Sequence, residues 1–322
     1  RQVIHSLNHH RGEDTKSAAK VIINSIEEIK KDDKYTVSCV LKSPNADFPY
    51  LMSDYHLVIA PKTSDFTDGI FSGAYMLKEY EPGVRSFTIK NPNYFKSDRG
   101  WFDEVETLVI NDVNARTNSL KTGQIDLMSR CELKTVHLLK KMKGLQIIRQ
   151  DGTKHYTFAM RTNMAPYDNN DVRLALKYGV DRELLLKTIQ RGYGSVGNDH
   201  PIASSDRYYA KDLPQRQYDP DKAKFHLKKA GLESTTFKLH AADAAFIGAV
   251  DAGVMYQEAA GKAGIKLEVV REPNDGYWSN VWLKKPWGAV FWGGRPTPDM
   301  MFSTAYAAGA AWNDTDWEHD RF

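Results

Sequence analysis

Residues 290–299 read Val290-Phe-Trp-Gly-Gly-Arg-Pro-Thr-Pro-Asp299, and this stretch decides the fold class. Its apolar run predicts a buried strand that enters a Gly-Gly turn, with Trp292 and Arg295 at the carboxyl end. In open α/β sheets, ligands bind in the crevice outside the carboxyl ends of the strands. Gly293 and Gly294 carry no Cβ and would let a ligand approach the backbone, and the always charged guanidinium of Arg295 suits a carboxylate. The stretch therefore predicts a small-molecule cleft rather than a catalytic turn.

Strands and helices alternate through the unit that ends at this turn. Asp181 and Asp219 are predicted to cap helices, and a long helix over 244–263 lies between the strands 237–240 and 265–270. A shorter helix over 277–284 precedes the last strand. An earlier run alternates in the same way, with strands at 108–110, 125–128 and 145–148 and helices at 113–122 and 132–143. This order predicts an α/β fold with a mostly parallel sheet and covering helices.

The first hundred residues show two further patterns. Residues 14–30 are predicted to be helical, and a strand is predicted over 35–41. Pro82-Gly83 separates two strand-like runs, 75–80 and 86–90, which is typical of a hairpin.

Composition narrows the classes of function. The chain has 322 residues, which is enough for two or three domains. Its composition, with 41% hydrophobic and 26% charged residues, is ordinary for a soluble globular protein. A formal net charge of +3 is too balanced to indicate nucleic acid or anionic lipid as a partner. No apolar run approaches the roughly 20 residues that a membrane-spanning helix needs. Cys39 and Cys131 are expected to be separate thiols, with a disulfide left open because sequence does not give their distance.

Several motifs occur in a specific order along nearly the whole chain. The most specific is Asn170-Asp-Val-Arg-Leu-Ala-Leu-Lys-Tyr-Gly-Val-Asp-Arg182. The others are Phe71-Ser-Gly-Ala-Tyr75, Leu120-Lys-Thr-Gly-Gln-Ile-Asp126, Tyr218-Asp-Pro-Asp-Lys-Ala-Lys224 and Lys229-Ala-Gly-Leu232. In this order they resemble the peptide-type, family 5 solute-binding proteins of ABC importers, the group that holds dipeptide, oligopeptide and nickel binders.

The resemblance implies a class II periplasmic-binding-protein-like fold, α/β in type, with two lobes around a cleft and three domains. On that map residues 1–68 are the end of the small second domain, residues 69–155 are part of the first, and residues 156–322 are the third, ligand-binding lobe. Because the chain begins without Met and both ends read as mid-element, we expect an internal fragment of a longer protein.

The resemblance also implies a function without catalysis. The protein is expected to be a monomer that encloses a small-molecule or peptide ligand between two lobes and delivers it to the membrane subunits of an ABC permease. Neither a cofactor nor a nucleic-acid partner is expected. The implied location is the periplasm, or the outer side of the membrane as an anchored lipoprotein.

One position departs from the family pattern. Peptide-binding members carry a Trp-x-Gly-Asp element whose aspartate meets the α-ammonium of the ligand, whereas this chain reads Trp292-Gly-Gly-Arg295. The inverted charge disfavours a free peptide amine. It favours an anionic, opine-like or modified peptide ligand. The alternative that Arg295 pairs internally with Asp299 stays open.

Further candidate ligand-binding residues come from aromatic and polar positions near the expected cleft. Aromatic rings provide a large contact area at a low cost in conformational entropy. The candidates are Phe158, Tyr277, Trp278, Trp312 and Tyr55 among the aromatic residues, and Asn198, His200 and Asn313 among the polar ones. For each of them, packing or a local turn is the competing interpretation.

Two other classes of function have weaker support. His5, His9 and His10 could share a helical face, but no third type of ligand is spaced to complete a metal site. No nucleophile, zinc or nucleotide motif of an enzyme occurs in the chain. A metal- or metal-chelate-binding relative and an enzyme on the same scaffold are kept as alternatives.

Overall fold

The computed structural model describes residues 1–319, which form two compact units. The first unit comprises Arg1–Asp112, Phe302–Ala305 and Gly309–Trp312, and the second comprises Val113–Met301, Tyr306–Ala308 and the segment that starts at Asn313. The division into three domains at residues 68 and 155 stays a prediction.

The first unit begins with two short helices and a hairpin. These are α1 (Gln2–Asn8), α2 (Lys20–Asn24), β1 (Ile26–Lys31) and β2 (Val37–Leu41), followed by α3 (Phe48–Leu51). Apolar side chains of these elements form the buried part of the unit, among them Leu7, Ile22, Ile23, Ile26 and Leu51.

The helix predicted over residues 14–30 is wrong at both ends, because α2 is short and residues 26–31 form β1. Asp33 explains the strand, since its Oδ1 accepts the backbone N–H groups of Tyr35 at 2.6 Å and Thr36 at 2.8 Å. This Asx turn reverses the chain. The reversal brings β2 alongside β1 as an antiparallel partner, so the predicted strand over 35–41 is confirmed from residue 37.

A second sheet in the first unit is formed by β3 (Tyr75–Glu81), β4 (Arg85–Lys90) and β5 (Glu104–Leu108). The strands are antiparallel and stand in that order. The predicted hairpin is confirmed, and Gly83 forms its turn with φ at +76°, which glycine adopts without steric strain. The strand predicted at 108–110 lies earlier, in β5. No residue of these three strands is buried.

The second unit contains most of the helices. Its elements are α4 (Val113–Lys121), α5 (Val136–Leu139), β6 (His155–Met160), α6 (Asn170–Gly179), α7 (Arg182–Thr188), α8 (Pro220–Lys229), β7 (Thr236–Ala241), α9 (Ala249–Gly261), β8 (Lys266–Arg271), α10 (Tyr277–Asn280) and β9 (Trp287–Trp292). The helix α11 (Pro298–Ala305) follows β9.

The four strands of this unit form a mixed sheet in the order β6-β9-β7-β8. β7 runs parallel to β8 and β9, whereas β6 runs antiparallel to β9. The largest buried cluster joins the sheet to α6, α8 and α9, and includes Leu176, Leu227, Leu239, Tyr256 and Trp287. The predicted α/β class is confirmed, with one antiparallel strand pair in the sheet.

The predicted strands 125–128 and 145–148 do not form, and the predicted helices 132–143 and 277–284 shorten to α5 and α10. A strand needs a neighbour to satisfy its backbone N–H and C=O groups, which the local pattern cannot supply. The apolar side chains of Leu127 and Ile148 are both 77% exposed instead. The β-α-β-α-β prediction for residues 108–148 is therefore wrong.

Helix caps in the second unit follow the sequence closely. Asp181 and Asp219 accept the backbone N–H groups of Leu184 and Lys222, as predicted for the starts of α7 and α8. The long predicted helix is confirmed as α9. Among residues 1–319, none of the helices combines the length and the apolar character needed to cross a bilayer.

Candidate functional site

The Gly-Gly turn lies beside the segment that leads into β6, because Trp292 pairs with His155 in the antiparallel register. A Cβ on Gly294 would lie 2.7 Å from Thr153 Oγ1 and 3.2 Å from the backbone nitrogen of Lys154. These distances are shorter than a normal van der Waals contact, so the neighbouring backbone itself requires glycine at this position. The close approach predicted for a ligand is made here by the protein chain.

Arg295 folds back over its own turn at the carboxyl end of β9. Its Nη1 donates to the carbonyl oxygen of Gly293 at 3.1 Å, and its backbone N–H donates to Thr153 Oγ1 at 3.1 Å. The Thr153 hydroxyl donates to the Arg295 carbonyl oxygen at 3.2 Å. A Cβ on Gly293 would lie 3.5 Å from Arg295 Nη1, which is an ordinary van der Waals contact. The half-buried guanidinium is thus held in place by the turn.

A small pocket adjoins this guanidinium. The residues that line it include Thr153, Ile202, Asp206, Arg295, Thr297 and Met301. Arg295 brings a positive charge to the pocket and Asp206 a negative one. Burial, and to a smaller extent the charge of Arg295, lowers the pKa of nearby His155, which favours the neutral imidazole beside the turn. Arg295 is therefore the cation that an anion would meet there.

Trp292 is only 5% exposed and hydrogen-bonds to a buried carboxylate. Its Nε1 donates to Asp314 Oδ2 at 3.0 Å, and Trp282 Nε1 donates to Asp314 Oδ1 at 2.9 Å. Burial raises the pKa of Asp314, and the two indole donors and Arg161 counteract that effect. Asp314 thereby holds the last residue of β9 and fixes where the Gly-Gly turn begins.

Two of the predicted aromatic residues lie in the packed interior of the second unit. Phe158 packs against both buried clusters, and Tyr277 donates its hydroxyl to the carbonyl oxygens of Ala289 at 2.8 Å and His240 at 3.1 Å. Trp278 is 37% exposed and stands edge-on to Phe291, with ring centroids 5.4 Å apart. Of these three, Trp278 offers the most surface to a ligand.

Asn198 and His200 lie in one loop of the second unit. Asn198 donates to the Pro214 carbonyl oxygen at 3.0 Å and accepts the Arg216 N–H at 2.9 Å, so its side chain joins two loop segments. The His200 ring lies 5.5 Å from that of Tyr209, and its Nε2 is buried without a hydrogen-bond partner among the described residues.

The remaining candidates are divided between the units. Tyr55 and Trp312 belong to the first unit, where the His56 ring lies 4.0 Å from Tyr55 and 4.9 Å from Trp312. Asn313 belongs to the second unit, is buried, and donates to the Trp317 carbonyl oxygen at 3.3 Å. All twelve candidates remain predictions as ligand-binding residues.

The structure adds a group of residues that sequence analysis missed. The Arg130 guanidinium carbon lies 4.5 Å from the ring centroid of Phe291, and Lys154 Nζ lies 5.4 Å from the same ring and 5.2 Å from that of Tyr156. Lys154 directly precedes β6, and continued strand alternation could have placed it on the same face as Tyr156. No local pattern links either of them to Arg130, which is distant in the chain.

The three N-terminal histidines each contact other protein groups. His5 Nε2 lies 3.1 Å from the Ser64 carbonyl oxygen, His9 stacks on Phe66, and His10 Nδ1 lies 2.6 Å from Ser17 Oγ. Within residues 1–319, no group of three or more His, Cys, Asp or Glu side chains is arranged to hold a metal ion. Cys39 and Cys131 are free thiols.

Comparison with known proteins gives one family. The sequence model described as bacterial extracellular solute-binding proteins, family 5 Middle, matches residues 1–314. The dipeptide-binding protein of Escherichia coli (strain K12) is 26% identical over 223 residues, which are 65% of this chain and 41% of that protein. The chain thus spans less than half the length of this curated relative.

Solved structures agree on the fold. NikZ from Campylobacter jejuni, in complex with Ni(L-His), has a TM-score of 0.84 at 19% identity, with 99% of this chain and 68% of NikZ covered. AgaA from A. tumefaciens R10, in complex with agropinic acid, has a TM-score of 0.83 at 21% identity, with 98% and 66% covered. Two proteins with different ligands are equally similar, so the fold by itself does not select the ligand.

Proposed function

The chain belongs to the bacterial extracellular solute-binding proteins of family 5, and from that premise we propose that it works as the binding component of an ABC importer. It encloses a peptide-like, anionic ligand of the opine type between two lobes and presents the closed form to the permease. The protein acts as a monomer outside the cytoplasm, in the periplasm or as a tethered lipoprotein. Closure is a hinge motion around the ligand. It needs neither a cofactor nor a covalent step.

The position of Arg295 is the main support for an anionic ligand. Its half-buried guanidinium stands at the carboxyl end of a sheet strand and donates to the Gly293 carbonyl oxygen, while the Thr153 hydroxyl accepts the backbone N–H of Arg295. A guanidinium held in one orientation loses little conformational entropy when it binds a carboxylate. The same charge repels an α-ammonium group. AgaA, with agropinic acid, illustrates such a ligand on this fold.

Native mass spectrometry of the full-length protein from its source, followed by denaturing release, tests the proposal. We expect a bound small anion of the opine or modified-peptide type. Calorimetry with agropinic acid, a dipeptide and Ni(L-His) then compares wild type with Arg295→Ala. Because a hydrogen bond to a charged group contributes about 1.5–3 kcal/mol, the variant should bind the anion roughly 10- to 100-fold more weakly.

The matched control is Arg149→Ala, which removes an exposed arginine paired with Asp151 on the surface of the same unit. It should leave affinity unchanged. Tight binding of the dipeptide that is indifferent to Arg295 would contradict the anionic ligand, and preferential binding of Ni(L-His) would favour the metal-chelate alternative. Turnover of the released compound would favour the enzyme alternative.

A further inference from the structure

We propose that Arg130 and Lys154, held on the ring of Phe291, form a second anion-binding subsite that takes a second carboxylate of the ligand. This inference rests on the proposed function, because it assumes that Arg295 holds the first carboxylate. All four residues belong to the second unit.

Two positive side chains share one aromatic ring in this arrangement. The Arg130 guanidinium carbon lies 4.5 Å and Lys154 Nζ 5.4 Å from the centroid of Phe291. The ring attracts each cation, but the two cations repel each other. Within residues 1–319, no carboxylate forms an ion pair with either of them, whereas Lys134 pairs with Asp251 and Arg149 with Asp151. A bound oxyanion would relieve the repulsion.

The position of Arg130 over the ring of Phe291 leaves donors for such an anion. A guanidinium that lies over a ring uses its face for the contact, and its N–H donors point outward in the plane. Arg130 Nη1 donates to the Ala244 carbonyl oxygen over a long distance of 3.5 Å. Both Arg130 and Lys154 are exposed, so an entering ligand can reach them.

The backbone at Arg130 supports the same inference. Its φ is +58°, in the left-handed region that side chains other than glycine rarely adopt. Residues held in such conformations cluster at ligand-binding positions, where the surrounding structure must compensate for the strain. At Arg130 the strained turn accompanies the placement of the guanidinium on Phe291.

The rings beneath the cations are held in place by their own neighbours. Tyr156 stacks on the buried ring of Phe246, with centroids 4.4 Å apart and an interplanar angle of 15°. Trp278 stands edge-on to Phe291, with centroids 5.4 Å apart. A platform whose rings are already ordered loses little entropy when a ligand binds, and Trp278 provides a fluorescence signal beside it.

Chain geometry sets the length of the ligand. Phe291 and Arg295 are four residues apart in the sequence. Since a strand rises roughly 3.3 Å per residue, the Cα atoms of Phe291 and Arg295 are at most about 13 Å apart. Two subsites carried by positions this close in the chain suit a short peptide-like molecule with a carboxylate at each end.

The test compares two probes with the full-length protein. N-succinyl-Gly-Gly carries a carboxylate at each end, whereas N-acetyl-Gly-Gly carries only one. Calorimetry and intrinsic tryptophan fluorescence should show about tenfold tighter binding of the succinyl compound to wild type, because a charge-assisted hydrogen bond is gained. In the double variant Arg130→Gln, Lys154→Gln this advantage should disappear, while N-acetyl-Gly-Gly should bind as before.

The control is Lys224→Gln, Lys228→Gln, which removes the same charge from exposed positions of α8 and should keep the advantage. Phe291→Leu retains both cations without the ring and should reduce the advantage only in part.

Three results would overturn the second subsite. The probes could bind with equal affinity, the advantage could survive in the Arg130, Lys154 double variant, or both probes could fail to bind. If binding of N-acetyl-Gly-Gly still depends on Arg295 in the first two cases, the proposed function stands. Binding that is indifferent to Arg295 would instead overturn the proposed function.

Discussion

Two sheets of this protein differ in what covers them. The β6-β9-β7-β8 sheet of the second unit packs against helices and includes Trp287, Ala289 and Leu239 among its fully buried residues. The β3-β4-β5 sheet of the first unit contains good strand sequences and a well-formed hairpin, yet none of its strand residues is buried. The strands of both sheets are therefore well paired, but only the sheet of the second unit has buried strand residues.

The difference shows that local strand propensity and stability are separate properties. A sheet becomes stable when one face is covered by another layer, because burial of apolar surface is the main favourable contribution to folding. Every strand of the β6-β9-β7-β8 sheet in the second unit contains at least one buried residue. We therefore expect substitutions to cost much there and little in β3–β5.

The largest effect is expected for Trp287→Ala. This side chain is 0% exposed, and its Nε1 donates to the Phe158 carbonyl oxygen at 3.2 Å. Loss of a buried tryptophan should lower the free energy of unfolding by about 3–5 kcal/mol. The comparison variant Tyr80→Ala, at a position 67% exposed in β3, should cost less than about 1 kcal/mol. Urea unfolding followed by circular dichroism measures both, and equal costs would break the comparison.

An intermediate loss of stability is expected at low pH, where His10 in the buried part of the first unit becomes protonated. Burial and the positive potential of His9 and His56 lower the pKa of His10 from 6.5 to about 4. Because the unfolded state binds the proton first, stability is full above pH 6.5 and falls as the pH drops toward 4. Allowing for solvent screening, we expect a loss of about 1 kcal/mol between pH 7 and pH 5.

Hydrogen exchange at the two pH values locates this loss. Protection should decrease around α1 and α2, and the decrease should be smaller in His10→Gln, which does not titrate. A loss that is the same in the variant would assign the acid sensitivity to other groups.

The smallest effect is expected for Gly83→Ala in the exposed hairpin. A Cβ there meets nothing within 4 Å, so only the left-handed φ of +76° resists the substitution. The cost should be about 1 kcal/mol and should appear as faster hydrogen exchange in β3 and β4 alone. Gly294→Ala is the contrasting variant, because its Cβ would lie 2.7 Å from Thr153 Oγ1. If both variants exchanged alike, the tight contact at the Gly-Gly turn would lose its support.

Sequence analysis succeeded where the determining contacts are local. Asp181 and Asp219 cap the helices that they precede, and Gly83 turns the predicted hairpin. It failed for strands 125–128 and 145–148, because apolar runs of that length form strands only beside a partner. It also failed for residues 26–31, where the turn at Asp33 outweighs the helical pattern.

The same division holds for the candidate site. The order of motifs identified the family, and the end of β9 with Arg295 was placed correctly from one stretch of sequence. The contact that requires Gly294 was not predicted, since Thr153 reaches it only through the pairing of β6 with β9. The same is true of the two indoles on Asp314.

By itself, the sequence determined the α/β class, the family, the helix caps and a cation after the last strand of the sheet. These features depend on residues that are close in the chain, or on motif order. Only the tertiary structure decided the mixed sheet order, the uncovered β3–β5 sheet and the meeting of Arg130 and Lys154 on Phe291. Such contacts join residues far apart in the chain, and the packing of whole elements, rather than any local preference, brings them together.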